Sequence, residues 1–162
     1  MIRISLFFRG SIGRIYNRGG PLAGLKIKTA RRSYNMSRIR SRDTKPELIV
    51  RRMVHSMGFR FRLSVGALPG RPDLVMPKHR KLIFVHGCFW HQHRGCCDGH
   101  LPKSNQKYWV PKLQGNVSRY RKNVRSLRKE GWSVLTLWEC EITKGRAFSN
   151  KLQRFLSSKK FT

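Results

Sequence analysis

The chain has 162 residues, of which 36 are lysine or arginine and only 7 are aspartate or glutamate, so its formal net charge is +29. This length suits one compact domain and is short for two. No run of sequence approaches the roughly 18 uninterrupted apolar residues that span a bilayer, which excludes an integral membrane protein. Because so large a charge repels itself unless a polyanion neutralises it, nucleic acid is the leading partner and an anionic membrane surface the second.

The first 34 residues differ in composition from the rest of the chain. They hold eight lysines and arginines, no acid and short glycine-rich pieces, without a helical or strand period. We therefore expect a basic, poorly ordered extension over residues 1–34 and a folded domain over residues 35–162. The extension fits an organelle transit peptide, an arm that grips phosphates, or a dispensable leader before a true start at Met36.

A helix over residues 45–57 is the first predicted element of the domain. Asp43 and Thr44 are residue types that cap helices, and Glu47 suits a first turn, where a carboxylate meets the positive end of the helix dipole. Apolar residues then recur at helical spacing until Gly58. The pattern therefore predicts both the start and the end of this helix.

Three short strands are predicted next. Apolar residues alternate with arginines over residues 59–63, as in a half-buried strand, and a loop rich in proline and glycine follows over residues 68–72. Residues 73–76 and 81–86 read as two further strands. Four consecutive apolar residues in the second of these are typical of a sheet that is buried on both faces.

The remaining predicted elements are a long helix over residues 109–130, a strand over residues 132–138 and a helix over residues 147–156. The order helix, three strands, helix, strand, helix predicts a mixed sheet flanked by helices. The fold class expected from the sequence is therefore α/β, with a three-layer α/β/α sandwich.

Cysteine and histidine crowd the segment between the third strand and the long helix, which has little apolar pattern of its own. Thiolate and imidazole groups together select zinc, and a closed tetrahedral site needs four of them. Three ligands with short local spacing are Cys88, His93 and Cys96, and the remote fourth is Cys140, with Cys97 as the alternative to Cys96. Because the chain shows no secretory signal, we read these cysteines as metal ligands in a reducing, cytoplasmic compartment rather than as disulfides.

The scarce acids and two spare histidines suggest a second, catalytic metal site. Asp73 opens one strand and His86 ends the next, while His91 follows at the carboxyl end of that strand, where α/β active sites gather. Phosphodiester hydrolysis with magnesium needs a carboxylate ligand and a base for water. Asp73 can be that ligand beside the carbonyl of Val85, with Glu47 reaching the metal through water. Asp73 as a turn cap and the histidines as structural residues are the alternatives.

These residues, taken in order, resemble the very-short-patch (Vsr) mismatch repair endonucleases, relatives of the restriction-endonuclease-like nucleases. The resemblance runs from about Asn35 to Ile142. It is carried by Arg42-Asp43-Thr44 with Glu47, Leu68 to Asp73, Phe84 to His91, Leu101 to Ser104, Tyr108-Trp109, Lys112, Asn116, Gly131-Trp132 and Trp138-Glu139-Cys140. Each motif alone is weak, but the ordered set is specific.

The resemblance implies a restriction-endonuclease-like fold with a zinc-stapled loop, and an enzyme that nicks DNA on the 5′ side of a thymine mispaired with guanine. Such mispairs arise when 5-methylcytosine deaminates. Residues that it implies for catalysis with magnesium are Asp73, Val85, His86, His91 and Glu47, and those for zinc are Cys88, His93, Cys96 and Cys140. Residues that it implies for DNA contact are the wedging aromatics Phe89, Trp90 and Trp109, the mismatch readers Lys112 and Asn116, and Met36.

One residue departs from the family pattern. Tyr120 stands where the pattern has an acid near the catalytic histidines, and it supplies no negative charge to an imidazolium. A catalytically impaired, zinc-containing mismatch-binding protein is therefore the second hypothesis, and a basic RNA- or ribosome-binding protein is the third. For the first we expect a monomer on double-stranded DNA, with no membrane partner and with further repair proteins acting after the nick.

Overall fold

A computed structural model of the chain describes residues 42–63 and 65–158, with the side chains of residues 146 and 147 left out. The predicted extension over residues 1–34 lies outside the described residues, and so does Met36. Within the described part, none of the helices combines the length and the apolar character needed to cross a membrane.

Helix α1, Lys45–Ser56, begins as the sequence predicts. Thr44 is the N-cap, and its hydroxyl oxygen accepts the backbone N–H of Glu47 at 3.5 Å. The helix ends before Gly58, whose φ of +84° suits a residue without a side chain. Val50 and Val54 are fully buried and pack the helix against the sheet. The prediction of 45–57 overshoots by one residue.

The four strands form one mixed sheet in the order β1-β2-β3-β4. The strands β1, β2 and β3 are antiparallel neighbours, whereas β3 and β4 run parallel. Their bounds are Arg62–Leu63 for β1, Leu74–Met76 for β2, Lys81–His86 for β3 and Ser133–Trp138 for β4. The prediction of a strand over residues 59–63 is wrong for its first part. Because β2 is only three residues long, it leaves little edge for β1 to pair with, and Phe59 and Phe61 pack on the core without joining the ladder.

Helices cover both faces of this sheet. One core cluster joins α1 to the two C-terminal helices, α3 (Glu139–Thr143) and α4 (Arg146–Ser157), through alternate residues of β2 and β3. The other cluster joins the opposite residues of β2 and β3 to the long helix α2, Gln106–Lys129. The sheet is therefore buried on both sides, as the apolar run in β3 indicates.

The parallel pair β3 and β4 brings two chain segments to one edge of the sheet. In the β3–β4 register His86 lies opposite Trp138, so the segment after His86 and the segment after Trp138 leave the sheet side by side. Helix α3, which follows Trp138 at once, was not predicted because five residues are too few to show a helical period. This edge positions the candidate site.

At the other end of β3, a buried lysine fastens α4 to the sheet. The Lys81 side chain is only 4 % exposed, and its Nζ donates hydrogen bonds to the main-chain oxygens of Leu156 at 2.6 Å and Ser158 at 2.7 Å. These carbonyls belong to the last turn of α4 and have no partner within the helix. Burial lowers the pKa of Lys81, but these two acceptors stabilise its charged form.

We therefore predict that Lys81→Met lowers the free energy of unfolding by about 1–3 kcal/mol, because it leaves carbonyl groups of α4 without a donor. Urea unfolding followed by circular dichroism measures this change. Lys78→Met, in the exposed turn before β3, is the matched control. An equal loss in both variants would contradict the role given to Lys81.

Candidate active site

A cavity of about 370 Å³ lies at the carboxyl edge of β3, between the sheet and α2. It is lined by all five residues that the sequence predicts for catalysis, namely Glu47, Asp73, Val85, His86 and His91. Gly70 borders the same cavity with a φ of +77°, and a Cβ there would lie 2.8 Å from Nδ2 of Asn123. Glycine is therefore required where this loop approaches α2.

Asp73 is held at the cavity by β3 itself. Its Oδ2 accepts the backbone N–H of Val85 at 2.7 Å, which ties the start of β2 to the end of β3. Burial raises the pKa of Asp73 to about 6, against the opposing effect of the Val85 hydrogen bond, and the Glu47 carboxylate raises it further. A cation beside these carboxylates would relieve both causes, so the donor set fits a divalent metal ion.

Glu47 is already fixed by three hydrogen bonds. Its carboxylate accepts the Thr44 hydroxyl at 2.8 Å and the Asp43 backbone N–H at 3.0 Å, and the Arg51 guanidinium pairs with it at 3.0 Å. The side chain of Glu47 is also almost completely buried. These bonds leave the carboxylate little freedom to turn, so its position at the edge of the cavity is fixed.

His86 and His91 form a stacked pair beside Asp73. Their ring centroids are 3.6 Å apart and their planes differ by 7°. Burial lowers the pKa of His86 to about 3, with a further contribution from His91, and burial lowers that of His91 to about 4. Neither Nδ1 atom has a hydrogen-bond partner among the described residues. Both rings are therefore neutral near pH 7.

Tyr120 packs edge-on against this pair. Its ring centroid lies 4.2 Å from that of His86, with 72° between the planes, and 5.9 Å from that of His91. The hydroxyl is hydrogen-bonded to the Thr136 hydroxyl on β4 and not to a histidine. Tyr120 therefore restrains the imidazoles by ring contact and supplies them with no charge.

The second ligand group lies next to the histidine pair. One ligand atom from each of Cys88, His93, Cys96 and Cys140 lies within 4.8 Å of the others. Nδ1 of His93 is 3.6 Å from Sγ of Cys88 and 3.2 Å from Sγ of Cys140. Tetrahedral zinc with ordinary Zn–S and Zn–N bonds separates such atoms by about 3.6 Å, so the arrangement fits a zinc ion. Burial raises the pKa of the Cys88 thiol to about 12, so a thiolate there needs a cation beside it.

Of the two adjacent cysteines, the structure brings Cys96 to this group, whereas Cys97 is exposed. The loop around them is folded tightly. The backbone N–H of His93 donates to the Cys88 oxygen at 3.0 Å, and a side chain on Gly99 would collide with the main-chain oxygen of His93. The ring of His93 stacks on Trp138 at 4.1 Å. The loop thus contacts the end of β4 through two interactions of His93, one with the Cys140 thiol and one with the Trp138 ring.

The predicted DNA-contacting residues form one aromatic cluster near the cavity. Phe89 lies 5.2 Å from Trp90 and 5.3 Å from Trp109 between ring centroids, and Nζ of Lys112 lies 6.0 Å from the Trp90 ring. Nδ2 of Asn116 donates to the main-chain oxygen of Trp90 at 3.2 Å. The five residues predicted from the sequence and described by the structure are therefore neighbours in space.

The cluster also contains a residue that was not predicted as part of the site. Tyr108 is half exposed, its ring lies 5.1 Å from that of Trp109, and its hydroxyl accepts a hydrogen bond from Lys112 at 2.7 Å. Arg119 and Asn123 line the catalytic cavity and were missed as well. Helical spacing from Asn116 places these two residues on the same face of α2, which is the signal that would have found them.

Sequence comparison identifies the family to which this chain belongs. The family model for DNA mismatch endonuclease Vsr matches residues 26–97. Type II nicking enzyme V.XorIIP of Xanthomonas oryzae pv. oryzae is 45 % identical over 131 residues, which cover 81 % of this chain and 96 % of that protein. This chain belongs to the Vsr DNA mismatch endonuclease family. The resemblance found in the motifs is thereby confirmed.

Two further Vsr-like proteins show the same degree of similarity. Type II nicking enzyme V.NmeAIP of Neisseria meningitidis is 40 % identical over 128 residues, covering 79 % of this chain and 91 % of that protein. DNA mismatch endonuclease Vsr of Escherichia coli is 41 % identical over 113 residues, covering 70 % of this chain and 72 % of that protein. The similarity to the Vsr family therefore extends over most of the chain and is not limited to a single motif.

The ligand cluster of this Vsr family member yields a direct prediction. We expect Cys88→Ser and Cys140→Ser each to lose one equivalent of bound metal and to lower Tm by roughly 10 °C, because the loop then lacks its anchor. Metal analysis of the purified protein and thermal unfolding measure both effects. Cys97→Ser is the control and should retain the metal and the Tm; loss of metal in that variant would contradict the assignment of Cys96.

Proposed function

We propose that this Vsr family member is a nicking endonuclease that acts on T:G mispairs in double-stranded DNA and cuts on the 5′ side of the thymine. The observation that carries this proposal is the convergence of Asp73, His86 and His91 in one cavity that adjoins an aromatic cluster. The names of the relatives, which are nicking enzymes and a mismatch endonuclease, support the same activity. Deamination of 5-methylcytosine is the source of such mispairs.

Magnesium is the catalytic metal in this proposal. Asp73 would hold it with its carboxylate, the main-chain oxygen of Val85 would be a second ligand, and Glu47 would contact it through water. When bound, the ion offsets negative charge on the phosphate group. One neutral imidazole of the His86 and His91 pair accepts the proton of the attacking water, and the other assists the departing oxygen. The stack holds both rings at the same side of the cavity.

The aromatic cluster provides the selectivity. Inserting side chains such as Trp90 and Trp109 between base steps costs a few kcal/mol of stacking energy, and this cost is smallest where bases are mispaired. In this proposal Lys112 and Asn116 would read the polar edges of the mispair. Zinc, held by the Cys/His cluster, keeps the loop that carries Phe89 and Trp90 in position.

The remaining features of the proposal concern the whole protein. The two helical layers around the mixed sheet support a three-layer, restriction-endonuclease-like sandwich. We propose that the protein acts as a monomer on chromosomal DNA in the cytoplasm, where the basic extension over residues 1–34 adds contacts to phosphates. Further repair proteins then process the nick.

A nicking assay tests this function. With magnesium present, the protein should nick a duplex with a single T:G mispair far faster than the matched duplex. Asp73→Ala should lower the rate by about 10³-fold, because the variant loses a metal ligand worth several kcal/mol in the transition state. Glu130→Ala, an exposed acid at the C-terminal cap of α2, is the control. Equal cutting of both duplexes would refute mismatch selectivity.

Tyr120 is expected to act as a positioning residue. Tyr120→Phe and Thr136→Val each remove one of the two hydroxyls that form this hydrogen bond. Each variant should lower kcat by up to about tenfold with KM unchanged, which is the effect expected from the loss of one hydrogen bond. The double variant should be no slower than either single variant, since both changes remove the same interaction. Single-turnover nicking rates measure this coupling.

A substitution at Tyr120 also distinguishes an active endonuclease from a catalytically impaired mismatch-binding protein. A wild-type protein that binds the mispair without nicking it, together with recovered nicking in Tyr120→Asp, would establish the second hypothesis. Additive losses in the double variant would instead show that the Tyr120 hydroxyl does not act through Thr136. Melting temperatures separate either outcome from simple unfolding.

A further inference from the structure

Helix α2 carries more positive charge than any other helix or strand that the structure describes. Its 24 residues include eight cations and no acid. At a rise of about 1.5 Å per residue it is roughly 36 Å long, which is close to one turn of duplex DNA. The cations are Lys107, Lys112, Arg119, Arg121, Lys122, Arg125, Arg128 and Lys129.

Two cavities flank this helix on opposite sides. The catalytic cavity touches the face that carries Asn116 and Arg119. A larger groove, of about 740 Å³, touches the face that carries Arg121, Lys122 and Arg125. Its other side is formed by the loop between β3 and α2, residues 87–105, which includes Arg94 and which we call the zinc loop. We call this second cavity the α2 groove. The zinc loop therefore borders both the catalytic centre and the α2 groove.

The lining of the α2 groove is suited to phosphate groups. Its charged residues are all cations, Gln114 and Ser118 add an amide and a hydroxyl donor, and Leu101, Leu113 and Val117 form its apolar part. Such groups make most of the contacts that proteins form with the DNA backbone. Arg121 and Arg125 are both exposed, and neither belongs to the ion pairs found in the described part of the chain.

This arrangement works against the stability of the free helix. Arg121 and Arg125 are one helical turn apart, as are Arg125 and Lys129, and like charges at this spacing destabilise a helix. The dipole at the end of α2 favours cations in the last turn, but Arg121 and Lys122 lie well before that turn. A bound polyanion removes this repulsion.

We propose that the α2 groove binds the sugar-phosphate backbone of one arm of the substrate duplex, outside the mispair. The proposal rests on the proposed function, since it assumes that duplex DNA occupies the catalytic cavity on the other flank of α2. A duplex lying across the outer face of this helix reaches both flanks, because an α-helix is only about 10–12 Å wide. The seven acids of the chain are scattered and its first 34 residues contain none, so the chain offers no acidic segment of its own.

Binding measurements with a charge-matched control test the α2 groove. Arg121→Gln/Arg125→Gln should weaken binding to a mismatched duplex about tenfold and reduce the slope of log K against log salt by about two, one for each lost phosphate contact. Fluorescence anisotropy without added divalent metal keeps this readout independent of nicking. The Tm of the free protein should stay the same or rise, because the repulsion within α2 is relieved.

Shortened duplexes locate the contact. The defect should disappear on a duplex truncated on one side of the mispair and persist on a duplex truncated on the other side. Arg60→Gln/Arg62→Gln, at the β1 edge, removes the same charge and should show no such dependence on the arm. Equal weakening by both pairs on every duplex would overturn the proposal in favour of general charge attraction. Unchanged DNA binding would overturn it in favour of another anionic partner, such as an acidic protein segment.

Discussion

The structure depends on one attachment, between the loop after β3 and the end of β4. The aromatic residues of that loop, Phe89 and Trp90, are only partly buried, and the group formed by Cys88, His93, Cys96 and Cys140 brings the loop to the end of β4. Because the same loop carries His91, its anchor also fixes where that imidazole lies. In the proposed function, both the wedging aromatics and His91 would therefore depend on a metal held by this cluster.

Three of the seven acidic residues in this strongly basic chain hold secondary-structure elements in place. Glu47 fixes the start of α1 and borders the catalytic cavity, Asp73 is bonded to the backbone of β3, and Glu141 caps α3 and pairs with Lys151. The cations, by contrast, are mostly left without acidic partners in the described part of the chain. Their shared partner is a polyanion, which agrees with a DNA substrate.

The sequence predicted most elements because their causes are local. The Thr44 cap, the apolar run of β3 and the apolar spacing of α2 are each visible within a few residues. The sequence was wrong or left alternatives open where contacts with distant residues decide the outcome. The strand around Phe61 is shortened by a neighbour of only three residues, and the choice between Cys96 and Cys97 depends on where Cys140 lies after folding. The hydrogen bond between the Tyr120 and Thr136 hydroxyls likewise depends on which residues folding brings together.

The central claim is that the Cys/His cluster holds His91 against His86, and NMR of the imidazole ring protons tests it most directly. With the cluster loaded, both rings should show the ring-current shifts of a stacked pair. After chelation, the signals of His91 should move to those of a free histidine, while core residues such as Leu82 keep their shifts. Unchanged His91 signals in the metal-free protein would contradict the account.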